Sequence, residues 1–395
     1  MVEDCKMPMD TGLRGVVVAS TRIGEVDGKN GRLLYRGYRI QDLAQATYEE
    51  VAHLLLLERL PSRPELERFA EEIRALREVP PALLESLRTR PADAHPMDVL
   101  QAATAMLGHH DPDTREASRE AALRMAKRLI ARFPTVVAAW HRIRSGEPVI
   151  PPSSRLGHAA NFLYMLSGAE PDPEFARALD IALVLHAEHA FNASTFAARE
   201  VASTQAHMYA ATAAAVGSLS GPLHGGANAR VMQMLLAVKR PERARAYVEA
   251  ELEAGRKIFG LGHAVYDVDD PRAHILAPLS RTLGEKRGDL RWYELSREIE
   301  AAAKEVFRRR KNADIPVNVD FYSASLYYYL GIPIDLFTPV FAISRVAGWT
   351  AHIIEEQFAG AAPKAVLYRP ESRYVGDYCG PAECAYVPLE ERAPA

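Results

Sequence analysis

The sequence predicts a mainly α-helical protein with one small β-hairpin near its N-terminus. Three observations lead to this prediction. Stretches with the apolar periodicity of helices follow one another from about residue 40 to residue 358, prolines and glycines separate them, and strand-like sequence is confined to residues 14–40. The 395 residues, 48% hydrophobic and 25% charged, are sufficient for two or three globular domains with a large core.

The hairpin is predicted from two apolar segments, residues 15–21 and Arg32–Tyr35, which flank a segment rich in turn residues. The pairs Asp27-Gly28 and Asn30-Gly31 favour tight hairpin turns, because asparagine, aspartate and glycine accept a positive φ. The hairpin is therefore the only sheet that the sequence predicts.

The helices follow in chain order. In the first half they are expected over 48–58, 64–77, 95–107, 115–145 with a break at Pro134, 157–166 and 173–191. Alanine and glycine dominate residues 187–226, which predicts closely packed interior helices. In the second half helices are expected over 229–238, 241–257, 273–284, 290–310 and 321–330, with a last one from Thr338, as N-cap, to about Phe358.

Composition argues against several classes of function. The 48 basic and 51 acidic residues give a net charge of −3, which attracts neither nucleic acid nor an anionic membrane. No apolar run reaches the roughly 20 residues of a membrane span, and the first residues lack the apolar core of a signal peptide. Cys5, Cys379 and Cys384 suggest neither a disulfide framework nor a metal site. We therefore expect a cytoplasmic protein.

His224 lies in a glycine-rich stretch, residues 221–228, between two predicted helices. Gly225 and Gly226 allow the backbone to approach a ligand closely, because they carry no Cβ. A histidine near the N-terminus of the following helix tends to stay neutral and can donate an N–H to an oxygen that becomes negative. The alternative interpretation is a helix–loop–helix corner with a packed histidine.

A second glycine-flanked histidine, His263, lies in residues 259–266, which lack the third glycine of a dinucleotide-binding motif. Arg272 follows a proline in the first turn of a predicted helix, where the helix dipole disfavours a cation. A bound carboxylate would explain Arg272, and a solvated surface arginine is the alternative.

Asp320 lies among apolar neighbours at the start of a predicted helix. It could serve as a general base with a raised pKa, or simply as the N-cap of that helix. Arg345 shares a helix face with Phe341 and Trp349 and with no acidic residue, so its guanidinium is expected to bind an anion, most naturally a carboxylate.

His186 and His189 are predicted on one face of a helix, because they are three residues apart. Such a pair can bind a metal, but no matching Cys, Asp or Glu set accompanies it, so no metal is predicted. We interpret His186 as a core histidine and His189, next to Asn192, as a donor to a substrate oxygen. Neutral histidines, one carboxylate and lone arginines together suit proton abstraction next to a carbonyl on an anionic substrate.

Motifs along nearly the whole chain resemble the citrate synthase family, which includes the 2-methylcitrate synthases. The resemblance rests on GLRGVVVA at 12–19, LYRGY at 34–38, HPMDVL at 95–100, NASTF at 192–196, residues 221–228, NVDFY at 318–322, LFTPVFAISRVAGW at 336–349, and the segments at 369–370 and 374–376.

This resemblance implies a mostly helical homodimer with a large domain, residues 1–223 and 333–395, and a smaller mobile helical domain, residues 224–332. It implies condensation of an acyl-CoA (acetyl-CoA, with propionyl-CoA as a further candidate) with oxaloacetate, and hydrolysis to citrate or 2-methylcitrate and CoA. The alternatives are a main activity as 2-methylcitrate synthase and a catalytically silent dicarboxylate-binding member. No metal and no permanently bound cofactor is implied.

The resemblance also assigns roles to residues. It makes His224 the donor to the thioester carbonyl, Asp320 the base that takes the acyl proton, and His263 the group that polarises the ketone of oxaloacetate. The positions that hold the dicarboxylate are matched by His189, Arg272 and Arg345. Arg369 matches an arginine that reaches the partner subunit's site.

Binding of CoA is where this chain departs from the family. Many prokaryotic members carry a basic residue at the position of Asp267 and a lysine at that of Ala313, and both usually face the CoA phosphates. The basic run at residues 308–311 could replace these two residues, and its candidates for binding CoA are Arg309, Arg310 and Lys311. The alternative interpretation of this run is a solvated helix face.

Overall fold

The computed structural model describes residues 12–13, 15–376, 384 and 386–392. As predicted, the chain is mainly helical with a small antiparallel sheet near its N-terminus. Within these residues no helix is both long and apolar enough to cross a membrane. Cys384 is disulfide-bonded, and Cys5 and Cys379 lie outside the described residues.

The sheet has three strands in the order β1 (Gly24–Asp27), β2 (Arg32–Tyr35) and β3 (Tyr38–Arg39). Gly24 pairs with Tyr35, and the turn after β1 is closed by Asn30, which donates to the Asp27 carboxylate. The predicted strand over residues 15–21 is wrong. Its apolar side chains find no core, since Val17 is 90% exposed, and the edge of β2 is occupied by β1 instead.

The described residues of the first half of the chain form eight α-helices. Their bounds are α1 Ile40–Leu43, α2 Tyr48–Leu57, α3 Arg63–Ala75, α4 Pro81–Arg88, α5 Pro96–His109, α6 Arg119–Arg144, α7 His158–Ser167 and α8 Pro173–His186. The predicted break at Pro134 is absent, because α6 continues through it. Pro134 and its neighbours are buried, so packing outweighs the one helical hydrogen bond that proline removes.

The part of the second half that the structure describes forms eight more α-helices. Their bounds are α9 Ala193–Ser203, α10 Met208–Ser220, α11 Ala227–Val238, α12 Ala244–Glu253, α13 Pro271–Arg287, α14 Arg291–Lys311, α15 Val319–Tyr329 and α16 Phe337–Gln357. Thr338 is not the N-cap of α16, since the helix already begins at Phe337. Pro339 is tolerated there because the first-turn N–H groups have no partner within a helix.

Helix α16 is the centre of the packing and is buried along nearly its whole length. It contacts α2, α6, α8, α9 and α10, and α10 in turn packs against α5 and α9 through small residues such as Ala211 and Ala215. Helices α11–α15 pack mainly against one another and meet the rest of the chain at α1, α8 and α16. The candidate site lies where these two groups of helices meet.

Candidate active site

A cavity of about 600 Å³ opens between the two groups of helices. Its walls come from the loop after α8, the loop before α11, the loop before α13, the start of α15 and one face of α16. The structure therefore brings together residues that are distant in sequence, six of them predicted site residues: His189, His224, His263, Arg272, Asp320 and Arg345.

The ring of His224 is held in one tautomer. The backbone N–H of Ser194 donates to its Nε2 at 3.2 Å, and the Ser194 Oγ lies 2.8 Å from the same atom. Because a backbone N–H can only donate, Nε2 must be unprotonated, and the ring hydrogen of neutral His224 is on Nδ1. Burial, followed by the nearby Arg345, lowers the pKa of His224 to about 4, so the ring is neutral at pH 7.

Two features hold the His224 loop against the neighbouring helices. A Cβ at Gly225 would lie 1.9 Å from the Leu219 carbonyl oxygen, so only glycine fits there. Arg230 on α11 reaches back and donates to the carbonyl oxygens of Pro222 and Gly225 at 2.6 and 3.0 Å. The sequence marked the glycine, but it did not identify Arg230.

His263 is held in the opposite tautomer. Its Nδ1 accepts the backbone N–H groups of Val265 and Tyr266 at 2.9 and 3.0 Å, so the hydrogen of the neutral ring is on Nε2. Burial, followed by Arg272, lowers the pKa of His263 to about 4. The two histidines are thus both neutral donors.

The loop of His263 is joined directly to the segment before α15. Leu261 and Val317 form an antiparallel β-bridge, and Gly262 N–H donates to the Pro316 carbonyl at 2.7 Å. The Asn318 side chain also donates to the Gly262 carbonyl, at 3.1 Å. These bonds set the position of Asp320 relative to His263.

Asp320 lies in the first turn of α15 and lines the cavity. It is not the N-cap: Asn318 has that role and accepts the Asp320 N–H at 3.1 Å. Burial raises the pKa of the Asp320 carboxyl to about 6, against the opposing effect of Arg272. A carboxylate with this pKa is ionised at neutral pH and is a stronger base than an exposed aspartate.

Arg272 is buried, so the alternative of a solvated surface arginine is wrong. Its Nε and Nη2 donate to the two oxygens of Asp270 at 3.0 and 2.7 Å, a bidentate pair that the sequence did not identify. Burial opposes the charge of Arg272, but Asp270 more than offsets this and raises the pKa of the guanidinium. The positive charge of Arg272 at the cavity is therefore partly balanced by the negative charge of Asp270.

Arg345 is only 1% exposed, yet no residue on its own helix neutralises it. Its Nε donates to the His186 carbonyl at 2.5 Å, and its guanidinium lies over the Phe341 ring at 4.6 Å. Burial lowers the pKa of Arg345 to about 10, partly offset by Glu188. Since Nε is used, the two terminal nitrogens remain for a carboxylate at the cavity wall.

His186 and His189 do not share a helix face, because α8 ends at His186. His186 is a core residue whose Nδ1 donates to the Ala182 carbonyl at 2.6 Å. His189 lies in the loop beyond, with its ring 5.7 Å from that of His263, and burial holds its pKa well below 6.5. Across the described residues no cluster of three or more histidine, cysteine or acidic side chains could hold a metal.

The remaining predicted residues lie outside this cavity. Arg369 is exposed on the C-terminal segment, and Arg309 pairs with Glu249 at 3.2 Å on the surface. Arg310 and Lys311 line a separate cavity of about 320 Å³ between the end of α14 and the loop after α12.

The model of the family described as "Citrate synthase, C-terminal domain" matches residues 12–371. The chain belongs to the citrate synthase family. It is an enzyme of the citrate synthase type, and the resemblance seen in the sequence is confirmed.

Relatives of this citrate synthase-type enzyme cover it almost completely. The citrate synthase of Haloferax volcanii is 43% identical over 96% of this chain and 98% of its own length, and the 2-methylcitrate synthase of Shewanella oneidensis is 39% identical over 95% and 97%. The crystal structure of citrate synthase from Pyrobaculum aerophilum is 42% identical, with a TM-score of 0.88, and covers 96% of this chain and 95% of that one.

A structural relative contains ligands. The ternary complex of citrate synthase from Thermoplasma acidophilum with carboxymethyl-CoA and oxaloacetate is 30% identical, has a TM-score of 0.88, and covers 98% of this chain and 100% of that one. The helical fold predicted from the sequence is thus that of the citrate synthases.

Replacing Gly225 by alanine is expected to abolish most activity and to lower the free energy of unfolding by roughly 1–3 kcal/mol, because the new methyl group collides with the Leu219 carbonyl. Gly221→Ala is the matched control, since a Cβ there meets nothing closer than 3.4 Å. Thermal unfolding and turnover of both variants test this. Equal behaviour of the two would show that the close approach at Gly225 is unimportant.

Proposed function

We propose that this enzyme condenses acetyl-CoA with oxaloacetate and hydrolyses the product thioester to citrate and CoA, with propionyl-CoA as a second acyl donor. One observation carries the proposal. A single cavity holds a carboxylate of raised pKa and two neutral histidines whose N–H donors are fixed by backbone hydrogen bonds to the opposite ring nitrogens.

Asp320 and His224 form the enol of the acyl-CoA. The Asp320 carboxylate takes a proton from the carbon next to the thioester carbonyl, and the electron pair moves onto the carbonyl oxygen. The Nδ1–H of His224 stabilises that oxygen. A thioester α-proton is too weak an acid for a carboxylate alone, so this donor is required.

His263 acts on the second substrate. Its Nε2–H donates to the ketone oxygen of oxaloacetate, which makes the ketone carbon a better electrophile for the enol. As the new carbon–carbon bond forms, the ketone oxygen becomes an alkoxide and takes the proton of His263. Water then cleaves the thioester and releases the CoA thiol.

Oxaloacetate is held by Arg272, Arg345 and His189. The terminal nitrogens of Arg345 suit one carboxylate bidentately, because its Nε is engaged by the His186 carbonyl. Arg272 pairs with Asp270 through Nε and Nη2, and its Nη1 donates one hydrogen to the Leu185 carbonyl at 3.5 Å, which leaves the second Nη1 hydrogen for a substrate carboxylate. Arg345, unlike Arg272, is buried without a carboxylate pair among the described residues, which favours an anionic ligand beside it.

The CoA phosphates bind in the basic cavity beside α14. Arg310, Lys311 and Lys257 line it, and the same loop, residues 255–261, leads directly to His263. The nucleotide end of CoA and the reacting thioester would thus lie on two sides of one loop. Arg309 contributes less, because it is paired with Glu249.

The domain boundaries are part of this proposal. Residues 224–332 form the small domain, supported by the mutual packing of α11–α15, and residues 1–223 and 333–395 form the large one. The enzyme is a cytoplasmic homodimer, in which the exposed Arg369 reaches the cavity of a second copy. Light scattering and an Arg369→Ala variant test this assembly.

The function as a whole is tested by measuring release of the CoA thiol from acetyl-, propionyl- and butyryl-CoA in the presence of oxaloacetate. Fastest release with acetyl-CoA supports the proposal. Fastest release with propionyl-CoA would make 2-methylcitrate the main product, and no release from any of the three would indicate the catalytically silent alternative.

Asp320→Asn is expected to lower turnover by roughly two to four powers of ten, since an amide cannot accept the proton. Wild-type turnover should fall as the pH drops below about 6, where Asp320 becomes protonated. Folding raises the pKa of Asp320 from 3.8 to about 6. The ionised carboxylate therefore lowers the free energy of unfolding, and this effect is complete at pH values above the folded-state pKa. The variant should therefore be more stable by up to about 3 kcal/mol at pH 8, a gain that vanishes towards pH 4.

Turnover against pH and calorimetric unfolding at pH 4 and pH 8 measure both effects. An Asp320→Asn enzyme with near-normal turnover would remove Asp320 from the mechanism. Equal stability of variant and wild type at pH 8 would show that the buried carboxylate is not destabilised.

Arg345→Leu is expected to raise the KM for oxaloacetate at least a hundredfold while changing the melting temperature little, because its charge is costly to bury in the free enzyme. Arg77→Leu is the matched control. Arg77 is equally buried, its pKa is likewise lowered to about 10, and it donates to the carbonyls of Ser153 and Leu156 far from the cavity. If Arg345→Leu unfolds with oxaloacetate binding intact, Arg345 is structural.

Asp267→Lys is expected to lower the KM for acyl-CoA several-fold at low salt and to leave oxaloacetate unaffected, because an exposed negative charge becomes positive at a position where many family members carry a base that faces the CoA phosphates. Part of the gain should be lost at high salt. Glu298→Lys makes the same charge change at an exposed position of α14 and serves as control. Unchanged CoA kinetics in Asp267→Lys would place the phosphates elsewhere.

A further inference from the structure

A buried carboxylate, Glu188, lies beside the oxaloacetate-binding residues and takes no part in the chemistry above. We propose that Glu188 is a positioning residue, which holds the loop between α8 and α9, and with it His189 and Arg345, in the geometry that binds oxaloacetate. This inference rests on the proposed function. It assigns to Glu188 a role through hydrogen bonds and none through its charge.

Glu188 is fully buried, and its Oε1 is the acceptor that organises the loop. Oε1 accepts the backbone N–H of Ala190 in a short hydrogen bond and the Nε2–H of His352 at 3.1 Å. Ala190 has a φ of +46°, a conformation that costs a non-glycine residue about 1 kcal/mol or more. The bond to Glu188 compensates for this cost.

His352, the hydrogen-bond partner of Glu188 on α16, is itself held in place by Arg199. Arg199 Nη1 lies 3.0 Å from Nδ1 of His352, and because arginine can only donate, this nitrogen must be an acceptor. The hydrogen of His352 is therefore on Nε2, directed at Glu188. Arg199 is in turn paired with Glu355 and Glu356 at 2.8 and 2.6 Å. Glu188 thus ends a buried chain of hydrogen bonds.

Two glycines from different elements make room for the Glu188 carboxylate. A Cβ at Gly24, the first residue of β1, would lie 2.8 Å from Oε1. A Cβ at Gly348, on α16, would lie 2.7 Å from Oε2 and 2.3 Å from the Ala187 carbonyl oxygen. The fit around Glu188 is therefore close on both sides, and a shift of its carboxylate requires a shift of the loop.

The loop that Glu188 organises positions two of the residues proposed to bind oxaloacetate, a histidine and an arginine. His189 directly follows Glu188, and its buried Nε2 has no hydrogen-bond partner within the described part of the chain. Arg345 is oriented by the carbonyl of His186, two residues before Glu188. A displacement of this segment would misplace a histidine and an arginine at once, and errors of about 1 Å can cost a hundredfold in binding or rate.

The charge of Glu188 is not what the site requires. A negative charge near Arg345 opposes the arrival of a dianion, so charge alone would weaken oxaloacetate binding. Oε2 has no hydrogen-bond partner among the described residues, and a neutral amide could occupy the same space with its NH₂ there and its oxygen at Oε1. Geometry and charge can therefore be separated by substitution.

The test compares Glu188→Gln, which loses the charge but keeps the length, with Glu188→Asp, which keeps the charge but is too short to reach both donors. Glu49→Gln and Glu49→Asp are matched controls. Glu49 is another buried carboxylate that accepts a backbone N–H, from His158 at 2.8 Å, and it lies away from the cavity. Oxaloacetate binding is measured by calorimetry, and KM and kcat by CoA thiol release.

We expect Glu188→Asp to weaken oxaloacetate binding and raise its KM about tenfold or more, with the KM for acyl-CoA within twofold and a smaller change in kcat. Glu188→Gln should stay within about threefold of wild type, and neither Glu49 variant should change the KM for oxaloacetate. A Glu188→Asp enzyme with wild-type oxaloacetate binding would overturn the inference. So would a Glu188→Gln enzyme as impaired as Glu188→Asp, since charge would then be the cause.

These outcomes are distinct from a failure of the proposed function. If the wild-type protein neither binds oxaloacetate nor releases CoA thiol, the function itself is wrong. If wild type is active and the Glu49 variants lose oxaloacetate binding as strongly as Glu188→Asp does, the effect is general destabilisation, and the specific role of Glu188 is rejected.

Discussion

The hydrogen bond from Arg345 Nε to the His186 carbonyl joins the central helix α16 to the end of α8, and the arrangement of the site depends on it. It allows a guanidinium to be fully buried without a direct carboxylate partner among the residues that the structure describes. A cation in that position is costly in the free protein, but it is ready for an anion. The helices around it, packed through small side chains, keep the surroundings too rigid to collapse onto the charge.

Backbone N–H groups determine which ring nitrogen carries the hydrogen in each of the two cavity histidines. A single N–H, from Ser194, assigns the hydrogen of His224 to Nδ1, and two others assign the hydrogen of His263 to Nε2. Burial then keeps both rings neutral while it makes Asp320 more basic. One physical cause, exclusion of water, thus produces two neutral hydrogen-bond donors and a carboxylate of raised pKa in the same cavity.

The sequence predicts the helical fold and most of the cavity residues, because glycines mark the places where backbone approaches a ligand and periodicity marks buried faces. It does not predict Asp270 or Glu188, since a carboxylate two residues from an arginine, or next to a histidine, looks like any solvated acid until the chain has folded. The error at residues 15–21 has a similar cause. Three valines in a row have strand propensity, but whether they pair depends on which segment occupies the neighbouring edge.

The β-bridge between Leu261 and Val317 has a consequence for how the protein can vary. It ties together two points of the chain that α13 and α14 separate, so the histidine on one side and the aspartate on the other keep their spacing whatever lies between. The turn after α13 at Gly288 can therefore be lengthened or shortened in the course of evolution without moving either group. Diversity can accumulate in that connection while the distance between His263 and Asp320 is inherited unchanged.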